Sequence, residues 1–168
     1  MKRTFLLSLL ASIILMAACN KKDEGSTVLK INMTDAPVNA EEVNIDLQAV
    51  RVNFTADSSG WTDLDAIPGI YNLLGLQNGL DTLIAQGTVP AGMLKEIRLV
   101  LGSNNTIKVN GQVYPLIIPS GSESGLKIKV NKKLAAPMDS LLVDFDAALS
   151  VHQEGTGDYK LRPVLKLK

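Results

Sequence analysis

The feature that most constrains the fold of this chain is an alternation of apolar and polar residues with a period of two. Such runs recur from Val28 onward, and no long run repeats with the 3.6-residue period of a helix. An alternating run predicts a strand with one face in a core and the other in water. The inward positions of four such runs are Val43, Ile45 and Leu47; Leu126, Ile128 and Val130; Leu141, Val143 and Phe145; and Tyr159, Leu161, Leu165 and Leu167.

One predicted strand changes the face of its apolar residues partway along. Val50, Val52 and Phe54 fall on the opposite parity from the apolar positions of the run just before them. A shift of one residue moves every side chain to the other face, so a regular strand would expose one of the two sets. A bulge or sharp bend near Ala49 would return both sets to the core.

Turn residues separate the strands. Asn110-Gly111 lies between two alternating runs, and both residues accept the positive φ of a type I′ turn, so the pair predicts a hairpin. Residues 70–86 are consistent with short strands or with single helical turns. The whole pattern predicts an all-β fold: an antiparallel β-sandwich, immunoglobulin-like or transthyretin-like, with about seven to nine short strands and at most a short helical segment around 70–86.

The N-terminus has the three parts of a secretory signal. Lys2 and Arg3 form a basic start, residues 4–18 carry no charge, and small residues Ala17 and Ala18 precede Cys19. Because a membrane span needs roughly 20 apolar residues, this shorter run favours a cleaved peptide over a retained helix. Residues 1–18 are therefore predicted to be the signal peptide, with cleavage between Ala18 and Cys19.

The end of this leader resembles a bacterial lipobox. The string is Leu15-Met16-Ala17-Ala18-Cys19, with Met16 where Leu is commoner. The resemblance implies that the Cys19 sulfur receives diacylglycerol and that the new amine is acylated. Stable anchoring needs at least two acyl chains, which this modification supplies. Unmodified or buried Cys19 is the alternative.

Residues 19–27 are predicted to be the acylated cysteine and a polar tether, followed by a single domain over 28–168. Lys22-Asp23-Glu24 in the tether resembles the surface-export signal of Bacteroidota lipoproteins, although any short charged tether has a similar sequence. The expected location is the bacterial outer membrane, with the lipid as membrane anchor, on either the cell surface or the periplasmic face.

Composition excludes several classes of function. The chain has 17 basic and 17 acidic residues, and without Lys2 and Arg3 the basic count falls to 15, so no nucleic-acid partner is expected. One cysteine cannot form an internal disulfide, and one histidine, His152, cannot supply the ligand sets typical of zinc. No cofactor is expected, apart from the calcium considered for two aspartates.

A series of short strings is spread along the mature chain. They are Met33-Thr34-Asp35-Ala36-Pro37, Gly60-Trp61, Tyr71-Asn72-Leu73-Leu74, Asp81-Thr82-Leu83, Pro90-Ala91-Gly92, Ile97-Arg98-Leu99-Val100-Leu101-Gly102, Asn104-Asn105, Ser124-Gly125-Leu126-Lys127 and Val143-Asp144-Phe145-Asp146-Ala147. In this order, they resemble the domain of unknown function 4382 family from about Val28 to Leu167. That family comprises secreted, often lipid-anchored bacterial proteins with a β-rich domain, so the resemblance implies location and fold but assigns no catalytic residue.

Aromatic and basic residues are the candidates for ligand binding. Carbohydrate-binding sites present exposed rings to sugars, and the rings not on inward parities are Trp61, Tyr71 and Tyr114. Burial of Trp61 in the core is the alternative. Lys127 and Lys129 begin a basic stripe that continues to Lys132 and Lys133, which suits an anionic glycan or, alternatively, protects an edge strand.

Acidic residues are the candidates for a metal site. Asp144 and Asp146 lie two apart on a strand, where two carboxylates can share calcium if carbonyl oxygens complete the ligand shell. The alternative is a solvated strand face or a hydrogen-bonding role. Asp35, before Ala36-Pro37, favours a turn-capping role over a metal role.

A serine hydrolase is not indicated. The Gly121–Gly125 string differs from the G-x-S-x-G elbow because its middle residue is Glu123 and because it lies between strands. The sequence therefore predicts a non-enzymatic, lipid-anchored envelope protein that acts as a binding or structural module, with a glycan or an envelope protein as partner. The alternative is a divalent-metal enzyme or a calcium-stabilised adhesin that uses Asp144 and Asp146.

Overall fold

The fold is taken from a computed structural model that describes residues 25–36, 39–55, 57, 59–118, 125–155, 158–162 and 164–168. It is an all-β sandwich of two sheets, which confirms the predicted fold class. The signal peptide, Cys19 and the tether up to residue 24 lie outside the described residues, as do residues 121–124 of the string compared with the hydrolase elbow.

The smaller sheet has five strands and is centred on β1. Strand β1 (Ser26–Asp35) lies between β11 (Met138–Phe145) and β6 (Thr82–Pro90). Two very short strands complete this sheet: β14 (Leu165–Leu167) pairs with β11, and β4 (Asp65–Ala66) pairs with β6.

The larger sheet is organised around β2 (Glu42–Asn53), which has partners along both edges. One edge pairs with β7 (Met93–Leu101) and β8 (Thr106–Val109), and the other with β3 (Trp61–Asp63) and β5 (Gly69–Asn72). The sheet extends through β10 (Leu126–Lys133), which pairs with β7, and through β9 (Gln112–Ile117), β13 (Asp158–Leu161) and β12 (Val151–Glu154) beyond β8.

The core lies between the sheets and contains the predicted inward residues. In β2 both apolar sets are buried, because the pairing of β2 with β7 shifts register between Leu47 and Ala49. This confirms the predicted bulge near Ala49. Fully buried side chains of the core include Leu29, Ile31 and Met33 of β1, Val43, Ile45, Val50 and Val52 of β2, and Val143 and Phe145 of β11.

The predicted hairpin is present. Asn110 and Gly111 have φ values of 51° and 77°, and they join β8 to β9 with Val109 opposite Gln112. The 70–86 segment contains both of the structures considered for it: a 3-10 helix at Leu73–Leu76 lies between β5 and β6.

Two details of the sandwich differ from the prediction. β1 with β11 and β9 with β13 are parallel pairs, and the described residues form fourteen strands rather than seven to nine. Parallel partners are distant in sequence and share no tight turn, so alternation alone does not reveal them. Strands of two to four residues, such as β4 and β14, are too short for a period of two to be recognised.

The domain begins slightly before the predicted boundary. Strand β1 starts at Ser26, so Ser26 and Thr27 belong to the sheet rather than to the tether. Thr27 is 1% exposed, and its hydroxyl donates to the carbonyl of Ala135 at 2.6 Å. In the described part of the chain, no helix has the length and apolar character needed to cross a bilayer.

The β8–β9 hairpin leads to a prediction about two glycines. We expect Gly111→Ala to lower the free energy of unfolding by about 1 kcal/mol, because its φ of 77° disfavours any side chain. Gly75→Ala is the matched control, since Gly75 has open space around its Cα and no positive φ. Urea denaturation of both variants measures the difference; an equal effect would contradict this account of the turn.

Candidate functional site

Trp61 lies on the outer face of the larger sheet rather than in the core. It is the first residue of β3 and stands opposite Asn53 of β2. Val52, between Arg51 and Asn53, points into the core, so the flanking positions and their β3 partners face outward. Trp61 is partly buried, as the side chains above its ring show.

The loop before Trp61 is held by two hydrogen-bonding side chains. Asn53 is fully buried: its Oδ1 accepts from the Thr55 N–H at 2.8 Å, and its Nδ2 donates to the Asp57 carbonyl at 2.6 Å. Asp57 Oδ1 accepts from the N–H groups of Ser59 and Gly60, each at 2.9 Å. The hydrogen bonds from Ser59 hold the pKa of Asp57 below its ordinary value. The loop therefore places Trp61 at a defined position.

Gly60 is required by this arrangement. A Cβ at that position would collide with the Thr55 hydroxyl and would lie 2.7 Å from Asn53 Oδ1. In the Gly60-Trp61 pair of the sequence, Gly60 thus permits the tight packing of the loop. Trp61 is the aromatic residue that this loop positions.

Two cations lie above the Trp61 ring. The Arg98 guanidinium carbon is 3.9 Å from the ring centroid, and Lys127 Nζ is 5.9 Å from it. Both distances are within the range of cation–π attraction. Arg98 of β7 stands directly opposite Lys127 of β10. The structure thus brings together the predicted aromatic candidate Trp61 and the predicted basic candidate Lys127, which are far apart in sequence.

The stem of Arg98 is confined on its other side by Gly125. This glycine has a φ of 75°, and a Cβ there would lie 2.7 Å from Arg98 Cγ and 2.8 Å from the Leu99 carbonyl oxygen. A larger residue at position 125 would displace the Arg98 side chain. Gly125 and Trp61 together fix where the guanidinium lies.

Charges on this face are only partly balanced. Asp63 forms a two-point ion pair with Arg51, whose Nη2 lies 3.1 Å from Asp63 Oδ2, and the Arg51 contact lowers the pKa of Asp63. Arg98, Lys127 and Lys129 have no ion pair with any described residue. The negative charges on this face are Asp63 and Glu96, and Glu96 stands opposite Lys129. The positive charges are Arg51, Arg98, Lys127 and Lys129, so the face has an excess of positive charge.

The predicted basic stripe does not continue beyond Lys129. Asn131 has a φ of 51°, and the register between β10 and β7 shifts between Lys129 and Lys132. Lys132 Nζ instead lies 2.9 Å from Asp139 Oδ1 of β11. β10 is an end strand of its sheet, so its exposed lysines also protect an edge from pairing with other chains.

The other two aromatic candidates lie elsewhere. Tyr71 stands opposite Ile45 of β2, eight positions from Asn53 and so roughly 27 Å along the strand from Trp61. Its hydroxyl donates to the Ile67 carbonyl at 2.6 Å, and burial raises its pKa. Tyr114 packs on Tyr159, with ring centroids 5.1 Å apart. Both rings pack against the core.

Asp144 and Asp146 each have a lysine partner. Asp144 Oδ2 is 3.1 Å from Lys168 Nζ, and Asp146 Oδ2 is 3.3 Å from Lys166 Nζ. Asp146 also caps helix α1 (Ala147–Ser150), because its Oδ1 accepts from the Leu149 N–H at 3.1 Å. Among the described residues, no three acidic, histidine or cysteine side chains converge to hold a metal ion.

Asp35 joins the end of β1 to helix α1. It is 4% exposed, and its Oδ1 accepts from the Ala147 N–H at 2.9 Å. Burial raises its pKa from 3.8 to about 6, although the Ala147 and Gln77 hydrogen bonds oppose the rise. Its hydrogen bonds connect strand ends, which agrees with a structural role.

An open depression of about 490 Å³ lies where β7 ends, beside the end of β9. None of the described residues that line it is charged; Leu101, Leu116 and Ile117 are among its apolar walls. The Asn105 amide is already engaged, since it donates to the Gly102 carbonyl at 2.7 Å and accepts from the Asp46 N–H at 2.9 Å. The depression therefore offers less specific chemistry than the Trp61 face.

The sequence profile of a domain of unknown function, DUF4382, matches residues 26–163, which is most of the chain. The chain belongs to the DUF4382 family. This confirms the resemblance carried by the strings from Met33 to Ala147. Neither the curated proteins nor the solved structures include a match.

The sequence interpretation of this DUF4382 domain missed Arg98 as a site residue. Arg98 lies in an alternating run between buried Ile97 and Leu99, where a polar residue is expected to be an ordinary outward position. Its importance depends on the pairing of β7 with β10, which are separated in sequence by β8 and β9. The signal in the sequence was Gly125 itself, within the Ser124-Gly125-Leu126-Lys127 string, because a glycine just before a strand can mark a positive φ or a close approach of another group.

The buried carboxyl of Asp35 predicts a pH dependence of stability. Because its folded pKa is raised, the unfolded chain ionises first, and stability falls as pH rises from about 4 to about 6. Asp35→Asn cannot ionise. Between pH 3 and pH 7, we expect the unfolding free energy of Asp35→Asn, relative to that of the native chain, to rise by up to about 3 kcal/mol.

Urea denaturation across this pH range measures the shift. Asp63→Asn is a control that should change in the opposite direction. Because Arg51 lowers the pKa of Asp63, the native chain should become more stable relative to Asp63→Asn as pH rises. A difference between Asp35→Asn and the native chain that stays constant with pH would contradict the assigned role of burial.

Proposed function

We propose that this DUF4382 protein is a non-enzymatic, lipid-anchored protein of the bacterial cell envelope whose sandwich is a carbohydrate-binding module. The observation that carries the binding role is the Trp61 ring, which lies on the outer face of the larger sheet with Arg98 at 3.9 Å and Lys127 at 5.9 Å. The location and anchor are supported by the lipobox-like string that ends at Cys19.

The proposed anchor constrains how far the module extends from the membrane. The first strand begins at Ser26, seven residues after Cys19. A fully extended chain of that length spans at most about 25 Å. The start of β1 would therefore lie near the lipid headgroups of the outer membrane, with the module on either the cell surface or the periplasmic face.

The same end of the sandwich contains the loop before Trp61. Strand β7 begins at Met93, just after the turn that contacts Gly25, and Glu96 of β7 stands opposite Asn53. Trp61 is the partner of Asn53 on the other edge of β2. A ligand on this face would lie close to the membrane. That position suits a polymer of the cell envelope or a polymer that runs along the membrane surface.

A metal-dependent enzyme or calcium-stabilised adhesin is the less supported function. Lysine ammonium groups contact Oδ2 of both Asp144 and Asp146, so a cationic partner for each carboxylate is already supplied by the chain. Asp146 also uses its other oxygen to cap a helix. The positions of both side chains are better explained by ion pairing at the edge of the smaller sheet.

Replacement of Cys19 tests the anchor. We expect Cys19→Ala to abolish labelling of the protein by radioactive palmitate and to leave the leader uncleaved, because the sulfur and the new amine are the sites of acylation. The measurement is labelling followed by fractionation of membrane and soluble proteins. Cys19→Ala protein that is cleaved and labelled like the native protein would contradict the lipoprotein assignment.

Replacement of Trp61 tests the binding role. We expect Trp61→Ala to weaken glycan binding about tenfold, because the ring supplies both contact area and attraction through its π face. Glycan-array screening followed by titration of the strongest hit measures the loss. Tyr71→Leu is the matched control, since it removes a ring from the same edge of β2 at a distant position; equal loss in both variants would argue against a site at Trp61.

A further inference from the structure

We propose that the face around Trp61 binds a polysaccharide that bears carboxylate or sulfate groups, and that Arg98 is the residue that recognises the negative charge. This inference rests on the proposed carbohydrate-binding function and specifies its ligand class. It is carried by three observations: a cross-strand row in which like charges are neighbours, a guanidinium with no counterion among the described residues, and the arrangement of the cations.

The first observation is a row of side chains that crosses four strands. Asp63, Arg51, Arg98 and Lys127 stand side by side on β3, β2, β7 and β10, each directly opposite the next. Like charges directly opposite one another on neighbouring strands destabilise a sheet. Asp63 neutralises Arg51, but nothing described neutralises Arg98 or Lys127. A bound anion at this end of the row would relieve the repulsion.

The second observation is that the Arg98 guanidinium is partly buried and incompletely hydrogen-bonded. Its Nε is shielded from solvent and has no hydrogen-bond acceptor among the described residues. A cationic group that has lost part of its hydration without gaining an anion gains more from a ligand anion than a fully solvated lysine does. The Trp61 ring interacts with the face of the guanidinium, and N–H donors lie in the guanidinium plane, so stacking does not consume them.

The third observation is the arrangement of the cations. The backbone positions of Arg98 and Lys127 are on neighbouring strands, about 4.8 Å apart, and the backbone of Lys129 lies two residues along β10, about 6.6 Å from that of Lys127. The three cations therefore start from adjacent positions on one surface, which suits a linear polymer with repeated anionic groups. Glu96 stands opposite Lys129, so the uncompensated charge is concentrated at Arg98 and Lys127.

An acidic polysaccharide fits this face better than a bilayer surface does. Membrane-binding surfaces present exposed apolar side chains beside their cations. Here the exposed described residues in the two cross-strand rows of Trp61 and Arg98 are Asp63, Lys127 and Lys129, all of them polar. The large apolar group beside them is an indole that is already stacked with a cation, an arrangement suited to a sugar ring that carries an anion.

The test uses the full-length protein in detergent micelles. The probes are polygalacturonate, chondroitin sulfate, uncharged dextran, and vesicles of phosphatidylglycerol. We expect the native protein to bind one or both acidic polymers more tightly than dextran, with affinity that falls as salt is added. Arg98→Gln should weaken acidic-polymer binding at least about tenfold, and Arg98→Lys should restore only part of it, because a lysine lacks the planar donors.

Lys30→Gln is the matched control, because Lys30 lies on the smaller sheet without an ion pair to any residue that the structure describes, and its loss changes the net charge equally. We expect its affinity to stay within about twofold of native. Equal loss in Lys30→Gln and Arg98→Gln would overturn the site, as would Arg98→Gln that retains native affinity and a native thermal transition.

The probes also separate this inference from the function on which it rests. Equal binding of dextran and the acidic polymers, lost in Trp61→Ala, would leave the carbohydrate-binding function in place and overturn the charge recognition. Binding of no polysaccharide would overturn both. Binding of phosphatidylglycerol vesicles alone, weakened in Arg98→Gln, would overturn both in favour of membrane contact, because insertion of the lipid anchor does not depend on Arg98.

Discussion

The structure depends on one register shift in the middle of β2. This strand supplies core residues from both of its halves, and they face the same side only because the pairing with β7 shifts between Leu47 and Ala49. Burial of a large aliphatic side chain contributes about 1.5–3 kcal/mol, so exposure of either half would cost several of these contributions. The shift also determines that Arg51 faces outward, opposite Arg98. The core and the candidate site therefore share one constraint.

Sequence patterns predicted the parts of the fold that depend on local physics. Alternation identified the buried faces of β2 and β11, and Asn110-Gly111 predicted a hairpin because a type I′ turn requires positive φ at both residues. The parallel pairing of β1 with β11 was beyond such patterns, since the two strands are separated by most of the domain. The start of β1 at Ser26 depends on a hydrogen bond from Thr27 to the distant Ala135 carbonyl.

In the candidate site, too, residue types were predictable from the sequence, whereas contacts that depend on strand pairing were not. Trp61, Lys127 and Lys129 were recognisable from residue type alone, because exposed rings and lysines on a strand are typical of ligand-binding surfaces. Their proximity was not, since it requires β3, β2, β7 and β10 to lie side by side. Arg98 escaped notice for the same reason. For Asp144 and Asp146, sequence spacing suggested a shared cation, but it could not show that Lys166 and Lys168 of β14 lie beside them.

Cations on the two sheets have two kinds of partner, a carboxylate or an aromatic ring. On the smaller sheet, the buried carboxylates of Asp144 and Asp146 have lysine partners 3.1 and 3.3 Å away. On the larger sheet, Arg98 stacks on an aromatic ring and contacts no described anion. A ring lowers the electrostatic energy of a cation without neutralising it. Such a cation remains able to attract an anionic ligand, whereas one paired with a carboxylate has largely lost that ability. The stacking on Trp61 thus stabilises the folded protein and preserves the charge that the proposed ligand would use.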